Sequence, residues 1–588
     1  MKRRTVLKGM AGAAMVPVVA GCSTSGSKSS SASSTASPSP NSTTAYSLDF
    51  DSSSPTTLSK TVSRGSGSVT VKYKFYSNNV YVQHPVNYEY QSLNVSVPIE
   101  IDGKTVDATD APIMFAINVG GYTSSSVWGA TAQGGGMSSG NAAGGFGGGT
   151  GSGGAPGGGS APSGARAPTG ASGSGPAGST SGSSGGGLGA GSTLGAGSVG
   201  LGSSMGSDWT SYDNGELALA NGYVVVEPGC RGRDLQWSSS EGGEYYGKAP
   251  AAIVDLKAAI RYVRHNTGIP GNKDWIISTG GSAGGALSSL VGASGNSSLY
   301  DSYLTALGAA SEDDSVYLSA CYSPITDLDH ADGQYEWMWS TLSLQASGGG
   351  PGGSTSSTTF NSTVSTQLKE QFATYQQSLA LSGINGFGTL SADNYSSYMM
   401  KQYLIPSATS ALTDTLTSAE RTAYLEKNTW ITWSDNEASF SWANFLKHVG
   451  YRIKGDPAFD GFDVQNAENI EFGDATTNAR HFTLYSLRHQ TGNSSAELPS
   501  DLPTKINMMN PMYHLVNKNA SRAKHWWLRT GTLDTNTAHT VVCNLAAITT
   551  GLGDAVNSSL YWDGGHAVNF DAPDLFAWIK KLTGYSAA

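Results

Sequence analysis

Residues 274–290, Asp-Trp-Ile-Ile-Ser-Thr-Gly-Gly-Ser-Ala-Gly-Gly-Ala-Leu-Ser-Ser-Leu, constrain the fold more tightly than any other stretch. An apolar β-type run, Trp275 to Ile277, meets a glycine-rich turn and then a run of small, helix-compatible residues. The turn, Gly280-Gly281-Ser282-Ala283-Gly284, has the G-x-S-x-G pattern in the strand–turn–helix setting that a nucleophile elbow requires. The chain contains 77 glycines, so the pentapeptide alone would mean little. The order strand, elbow, helix is what carries weight. A serine on so sharp a turn needs neighbours without bulk. The helix that follows points its N-terminal N–H groups and positive dipole end at any oxyanion formed there. Ser282 is the expected nucleophile.

The first residues read as an address. Lys2-Arg3-Arg4 opens a basic segment of twin-arginine type, and an apolar run from Gly9 to Ala20 follows. That run is too short to span a bilayer, which takes about 20 apolar residues. It ends in Val19-Ala20-Gly21-Cys22, which resembles a bacterial lipobox and implies cleavage before Cys22 and lipid on that cysteine. Residues 1–21 are thus expected to be a signal peptide. Residues 22–44, nearly all Ser, Thr, Pro, Gly and Ala, are expected to be a flexible tether that holds the body off a membrane. The net charge of −10, with no basic cluster beyond the signal, argues against a nucleic-acid partner. Cys230, Cys321 and Cys543 cannot all pair, and their wide spacing suits neither a disulfide scaffold nor a zinc site. They read as buried small hydrophobes, with at most one disulfide.

The body alternates strands and helices. Segments 69–76 and 91–98 read as antiparallel opening strands, and 112–118, 222–226, 274–279, 315–321, 525–530 and 559–562 as core strands. Residues 251–266 and a C-terminal stretch around Leu575 to Leu582 have helical periodicity. Such alternation predicts a mostly parallel sheet covered by helices on both faces, an α/β class fold. Two interruptions stand out. Residues 132–206 are a Gly/Ser-rich tract expected to be disordered. From 326 to 520 the rhythm breaks, with helical pieces expected at 365–381, 418–427 and 438–448 and a second Gly/Ser loop at 347–358. This stretch reads as a lid or substrate-binding insertion, dividing the core into 45–325 and 521–588.

The remaining chemistry is chosen by position. Val119-Gly120-Gly121-Tyr122 follows a core strand upstream of the elbow, where an oxyanion loop belongs in α/β-hydrolases. The N–H of Gly121, or of Gly120, would then share the oxyanion with that of Ala283. Of ten histidines, His566 alone lies on a glycine-flanked loop after the last strand. Asp534, just past the preceding strand, is the expected acid; Asp563 lies too close to His566 along a short loop, and Asp554 reads as a helix end. Ser282, Asp534 and His566 then follow the order Ser…Asp…His, each after a core strand.

Beyond the elbow, Gly281 to Leu290, Cys321 to Leu328, Tyr335-Glu336-Trp337, Asp456 to Asp460 and Asp571 to Ile579 resemble bacterial tannases of the lactobacillus type. The resemblance runs from about Ser68 onward, apart from the two Gly-rich loops. It implies an α/β-hydrolase with a large lid domain that cleaves gallate esters, and its triad falls on Ser282, Asp534 and His566. It also implies that Lys454 and Glu468 bind the galloyl ring. The family carries a second aspartate two residues after the acid, holding phenol hydroxyls, where this chain has Asn536. No metal or organic cofactor is implied. The expected partners are a small phenolic ester and, through lipid on Cys22, a bacterial membrane. Other readings remain on the same fold: a generic or feruloyl-type serine esterase, a peptidase, or an inactive surface binding protein.

Overall fold

Short apolar runs that bury both faces make the centre of the sheet. The strands are β1 (Thr56–Ser63), β2 (Ser68–Val80), β3 (Ser92–Ile101), β4 (Lys104–Thr105), β5 (Ile113–Ala116), β6 (Val224–Pro228), β7 (Ile276–Gly281), β8 (Leu318–Tyr322), β9 (His525–Gly531) and β10 (Ala555–Tyr561). They lie in the order β1-β2-β3-β6-β5-β7-β8-β9-β10, with β4 paired to β3. Strands β5 to β10 are mutually parallel, whereas β1 to β4 add antiparallel and β3 joins β6 antiparallel. The computed structural model describes residues 45–64, 67–129, 212–344 and 360–587. The leader and tether, the tract at 132–206 and the loop at 347–358 lie outside them.

Alternation along each strand sorts side chains onto two faces. Ile113, Phe115, Val224, Val226, Ile276 and Leu528 enter one apolar core, while Met114, Val225, Ile277, Leu318 and Trp527 enter the other. The second core is covered by α1 (Asn214–Ala220) and the C-terminal helix α9 (Ala572–Thr583). The first is covered by α2 (Ala251–His265), α3 (Ala283–Ser294) and α8 (His539–Gly551), and the insertion packs there too. The chain is an α/β protein with helices on both faces of a largely parallel sheet.

The insertion supplies α4 (Leu328–Trp339), α5 (Ser362–Leu379), α6 (Trp442–Val449) and α7 (Ala467–Glu471). It shares one apolar core with the sheet rather than folding around its own. Tyr335 Oη donates to Thr535 O (2.7 Å), Trp339 Nε1 to Thr537 O (2.9 Å), and Tyr395 Oη to Asn544 Oδ1 (2.7 Å). The helix expected over 438–448 starts later. Glu437–Ser439 instead pairs antiparallel with Thr432–Ser434, and Ser441 caps α6. Similarly, β7 begins at Ile276 because Asn272 caps a short helical turn at Lys273–Trp275. Among the described residues no helix is long and apolar enough to cross a membrane, and Cys230, Cys321 and Cys543 are buried free thiols.

Candidate active site

Ser282 sits between β7 and α3 with φ 58° and ψ −124°, a left-handed backbone that a serine adopts only when its surroundings enforce it. Both motif glycines are steric necessities: a Cβ on Gly280 would lie 2.4 Å from Gly284 O, and one on Gly284 2.7 Å from Ile117 O. Ser282 N–H donates to Tyr322 O at 2.9 Å, pinning the turn to β8.

The loops after β9 and β10 emerge side by side, since Gly531 is in register with Tyr561. They bring Asp534 and His566 to the serine. Ser282 Oγ lies 2.8 Å from His566 Nε2, and His566 Nδ1 lies 2.9 Å from Asp534 Oδ2. With the imidazole proton on Nδ1, the hydroxyl donates to the ring and the ring to the carboxylate. Asp534 is 1% exposed. Burial alone would raise its pKa, yet the charge and hydrogen bond of His566, aided by the Asn536 N–H, hold it well below the usual carboxylate range. Asp563 is occupied elsewhere, accepting from His448 Nε2 (2.7 Å) and Tyr424 Oη (2.8 Å). His539, the other histidine near Asp534, is wholly buried against Trp339, and burial pushes its pKa down to about 4.

The loop after β5 lies against the elbow: Gly284 N–H donates to Val119 O at 2.9 Å, bringing Gly120 and Gly121 beside Ala283. Ala283 is the first residue of α3, so its N–H has no carbonyl one turn earlier in the helix. Gly121 and Tyr122 both have positive φ, 54° and 59°.

From the insertion, Lys454 Nζ lies 3.6 Å from Glu468 Oε1 and 4.0 Å from the centre of the Phe459 ring. Glu468 is 3% exposed, and its Oε2 has no hydrogen-bond partner among the described residues. The Tyr335 hydroxyl, which donates to Thr535 O, also accepts from Lys454 N–H at 3.2 Å, tying this group to the acid loop. Asn536, partly exposed, is also tied to the acid. Its backbone N–H and its Nδ2 both donate to Asp534 Oδ1, at 2.9 and 3.1 Å.

Sequence reasoning missed Ser323 and Thr530. Ser323 Oγ accepts from Ala567 N–H (2.9 Å) beside His566, and Thr530 Oγ1 lies 3.3 Å from Asp534 Oδ2. Ser323 stands just past β8, the strand beside the elbow, and Thr530 near the end of β9, and that placement was the available signal. Asp327, Asp329 and His330 bring potential ligand atoms within 4.8 Å of one another. Gln334, Tyr375 and Asn510 already donate to the Asp327 carboxylate, and Asn510 to Asp329 as well, so the cluster is explained as a hydrogen-bonded hub.

A serine on a strained strand–helix turn, hydrogen-bonded through an imidazole to a buried aspartate, defines an α/β-hydrolase scaffold, and residues 214–347 match the BD-FAE family model. A 90-residue stretch is 39% identical to the esterase LipQ of Mycobacterium tuberculosis, covering 15% of this chain and a fifth (20%) of that one. The native tannin acyl hydrolase of Lactobacillus plantarum is 30% identical with a TM-score of 0.66, over 91% of this chain and 99% of that one. A tannin acyl hydrolase solved in complex with ethyl gallate is 29% identical with a TM-score of 0.67, over 91% and 99%. The chain belongs to the tannase family and is an ester hydrolase of the tannase type.

Proposed function

We propose that the protein is a serine carboxylic ester hydrolase of galloyl or related phenolic esters. The observation that carries this reading is the hydrogen-bonded chain Ser282–His566–Asp534. Ser282 Oγ attacks the ester carbonyl while its proton passes to His566 Nε2. The N–H groups of Ala283 and Gly121 (or Gly120) receive the negative oxygen. Collapse breaks the bond to the alkoxy group, which leaves as the alcohol with the proton from His566. Water, deprotonated by the same nitrogen, then splits the acyl-enzyme to the free aromatic acid and Ser282. Asp534 keeps the ring in one tautomer and stabilises the imidazolium.

Lys454 and Glu468 would bind the phenol hydroxyls, the carboxylate accepting from adjacent O–H groups and the ammonium donating to one oxygen. The ethyl gallate bound by a relative of the same fold supports this half of the reading. The engagement of Asn536 with Asp534 favours a second, broader reading, a feruloyl-type or generic phenolic esterase, because that amide offers substrate no charge.

A small ester panel separates the two. Methyl gallate should be cleaved faster than methyl benzoate, and Glu468→Ala should bring the two rates together; a site built to bond hydroxyls can discriminate by up to about 10⁴-fold. A wild-type preference for simple aliphatic esters would sink the gallate reading and leave the generic esterase. We further propose anchoring outside the cytoplasm through lipid on Cys22; a Cys22→Ser protein that still partitioned with membranes would refute it.

A further inference from the structure

The run Cys230-Arg231-Gly232-Arg233-Asp234, after β6, takes no part in the chemistry above, yet it pairs with the oxyanion loop along nearly its whole length. Cys230 N–H donates to Ser125 O (2.8 Å), and Ser125 N–H returns a bond to Cys230 O (3.0 Å). Asp234 accepts from Ser124 N–H (2.6 Å) and Ser124 Oγ (2.8 Å). Gly232 lies so close that a Cβ would stand 2.1 Å from Ser124 N. Arg233 sits over the turn itself. Its backbone N–H donates to Tyr122 O at 3.0 Å and its Nε to Gly121 O at 2.6 Å. One residue therefore grips two successive carbonyls, those of the two residues with positive φ.

That matters because a left-handed tyrosine costs about 1–2 kcal/mol and persists only where neighbours over-determine it. A carbonyl held from one side also fixes the direction of the N–H across the same planar peptide; for Gly121 O that N–H is Tyr122's, so Arg233 holds the turn that the Gly121 N–H enters from the preceding plane. The preceding plane is held as well, since Gly120 O accepts from Thr123 N–H (3.0 Å) and Thr123 Oγ1 (2.7 Å). Arg233 is itself linked to the insertion. Lys248 Nζ donates to Arg233 O (2.7 Å) and to Asn478 Oδ1 in the insertion (2.9 Å). Ala249 N–H donates to Glu471 O at the end of α7 (2.9 Å). The Glu471 carboxyl is wholly buried with no hydrogen-bond partner among the described residues. Burial pushes its pKa up to about 8, against Arg233 and then Lys248 as the opposing charges.

We propose that Arg233 is a positioning residue of this esterase, whose Nε locks the Gly121–Tyr122 turn in the shape that receives the oxyanion. The proposal rests on the serine-hydrolase reading above. A lysine keeps the charge but loses the planar Nε–H donor that meets the carbonyl. The backbone N–H bond remains available in the lysine and methionine variants, so they test the side chain alone.

The test compares Arg233→Lys and Arg233→Met with wild type on three readouts: methyl gallate kinetics, gallic acid binding, and inhibition by phenylboronic acid. The boronic acid adds to the serine as a tetrahedral anion that needs the oxyanion turn, whereas gallic acid needs only the ring site. Removing an oxyanion donor outright costs about 10²–10³ in kcat, so losing its support should cost about 10–100-fold in Arg233→Met and less in Arg233→Lys. Boronic acid affinity should fall in step with kcat while gallic acid affinity changes by less than about threefold. Should Arg233→Met fail to fold, the ratio of the two affinities in Arg233→Lys decides alone. Unchanged kcat and boronic acid affinity in the folded variants would overturn the proposal. So would a parallel loss of gallic acid binding, which would make Arg233 a substrate ligand. Phosphonate labelling of wild-type Ser282 keeps the two readings apart. An enzyme that turns over ester unlabelled removes the serine mechanism and this proposal together, whereas labelled wild type with unaffected variants removes only this one.

Discussion

One short loop carries His566 at one end and, at the other, the Asp563 that His448 reaches; each histidine nitrogen meets an aspartate whose side chain is buried, at 2.9 Å for His566 and 2.7 Å for His448. The aspartates differ in origin. Asp534 follows β9, one strand over from the histidine it serves, and the far nitrogen of His566 reaches Ser282 Oγ at 2.8 Å. Asp563 lies three residues before His566 and is met by a histidine from α6 of the insertion. The ring of His448 lies parallel to Trp562, 8° and 5.8 Å away, and tilted to Trp430 at 4.9 Å. One pair ends on the Ser282 hydroxyl and the other on packed indoles. A histidine–aspartate pair is thus a generic way to bury a polar link; what lies beyond the ring makes it chemistry or a clasp.

The sharpest way to break this comparison is to remove each ring. His566→Ala should lower kcat by about 10⁴-fold or more, and Ser282→Ala,His566→Ala should be little worse than either single variant, since the groups act as a unit. His566 is a quarter exposed, so its melting temperature should stay within a degree or two of wild type. His448→Ala should do the reverse. It removes one of the donors to Asp563, leaving that of Tyr424, and opens a void beside Trp562, losses of roughly 1–3 kcal/mol, with kcat falling less than about tenfold. Calorimetry and methyl gallate kinetics on the same preparations check both. If His448→Ala lost activity as His566→Ala does while keeping its stability, the assignment of the two pairs would be wrong.

A third pair sharpens the contrast through pH. In the insertion, Asp460 collects five donors: His481 Nδ1 (2.7 Å), Asn469 Nδ2 (2.7 Å), the N–H groups of Phe482 (3.1 Å) and Thr483 (2.7 Å), and Thr483 Oγ1 (2.7 Å). Burial disfavours the charged ring of His481, but the Asp460 hydrogen bond and charge outweigh it and, with Asp463, raise its pKa. A histidine raised on folding contributes stability that is full below its unfolded pKa of about 6.5 and is lost as pH rises through the folded value. Thermal stability should therefore decline above about pH 6.5 by up to about 1.4 kcal/mol per pH unit over that window, and less where other groups compensate. His481→Gln keeps a donor without the charge and should flatten the decline. Parallel melting curves for the two proteins between pH 6 and 8 would refute this role.

The central strands and the elbow were legible because each depends on local sequence: an apolar run with period-two sorting, and two glycines where any Cβ would collide. The edge strand β1 escaped because its residues, Thr-Thr-Leu-Ser-Lys-Thr-Val-Ser, are largely exposed and show little apolar period. The hairpin at 432–439 escaped because three-residue strands carry no pattern and borrow their order from neighbours. At the site, Ser282, Asp534 and His566 come together as their order along the chain implied. The links around them did not show, since Arg233 meets Gly121 across 112 residues and Tyr335 meets Thr535 across 200, separations at which sequence has no periodic signal. The placement of Asn536 is the instructive case. The family resemblance implied a substrate ligand there, and the folded chain adds a bond from its amide nitrogen to the acid, which sequence did not signal.

Asn536 therefore offers the finest adjustment of the His566–Asp534 pair. Two N–H groups of one residue converge on Asp534 Oδ1, while Oδ2 faces His566 and Thr530 Oγ1. Asn536→Ala removes one of them and adds no charge, so kcat should fall only a few-fold, with the acid limb of the pH–rate profile unmoved. Asn536→Asp replaces the donor with a second carboxylate beside the first. That negative charge favours the imidazolium, so half-maximal kcat/KM on the acid side should shift to higher pH by up to about one unit. The same substitution supplies a charged acceptor next to the ring site, and the preference for methyl gallate over methyl benzoate should rise. The two variants are separable because only the aspartate moves the pH limb. If both moved it equally, the amide would be acting through the shape of the loop rather than through the charge on Asp534. If neither variant changed kcat, Asn536 would have no hold on the pair at all.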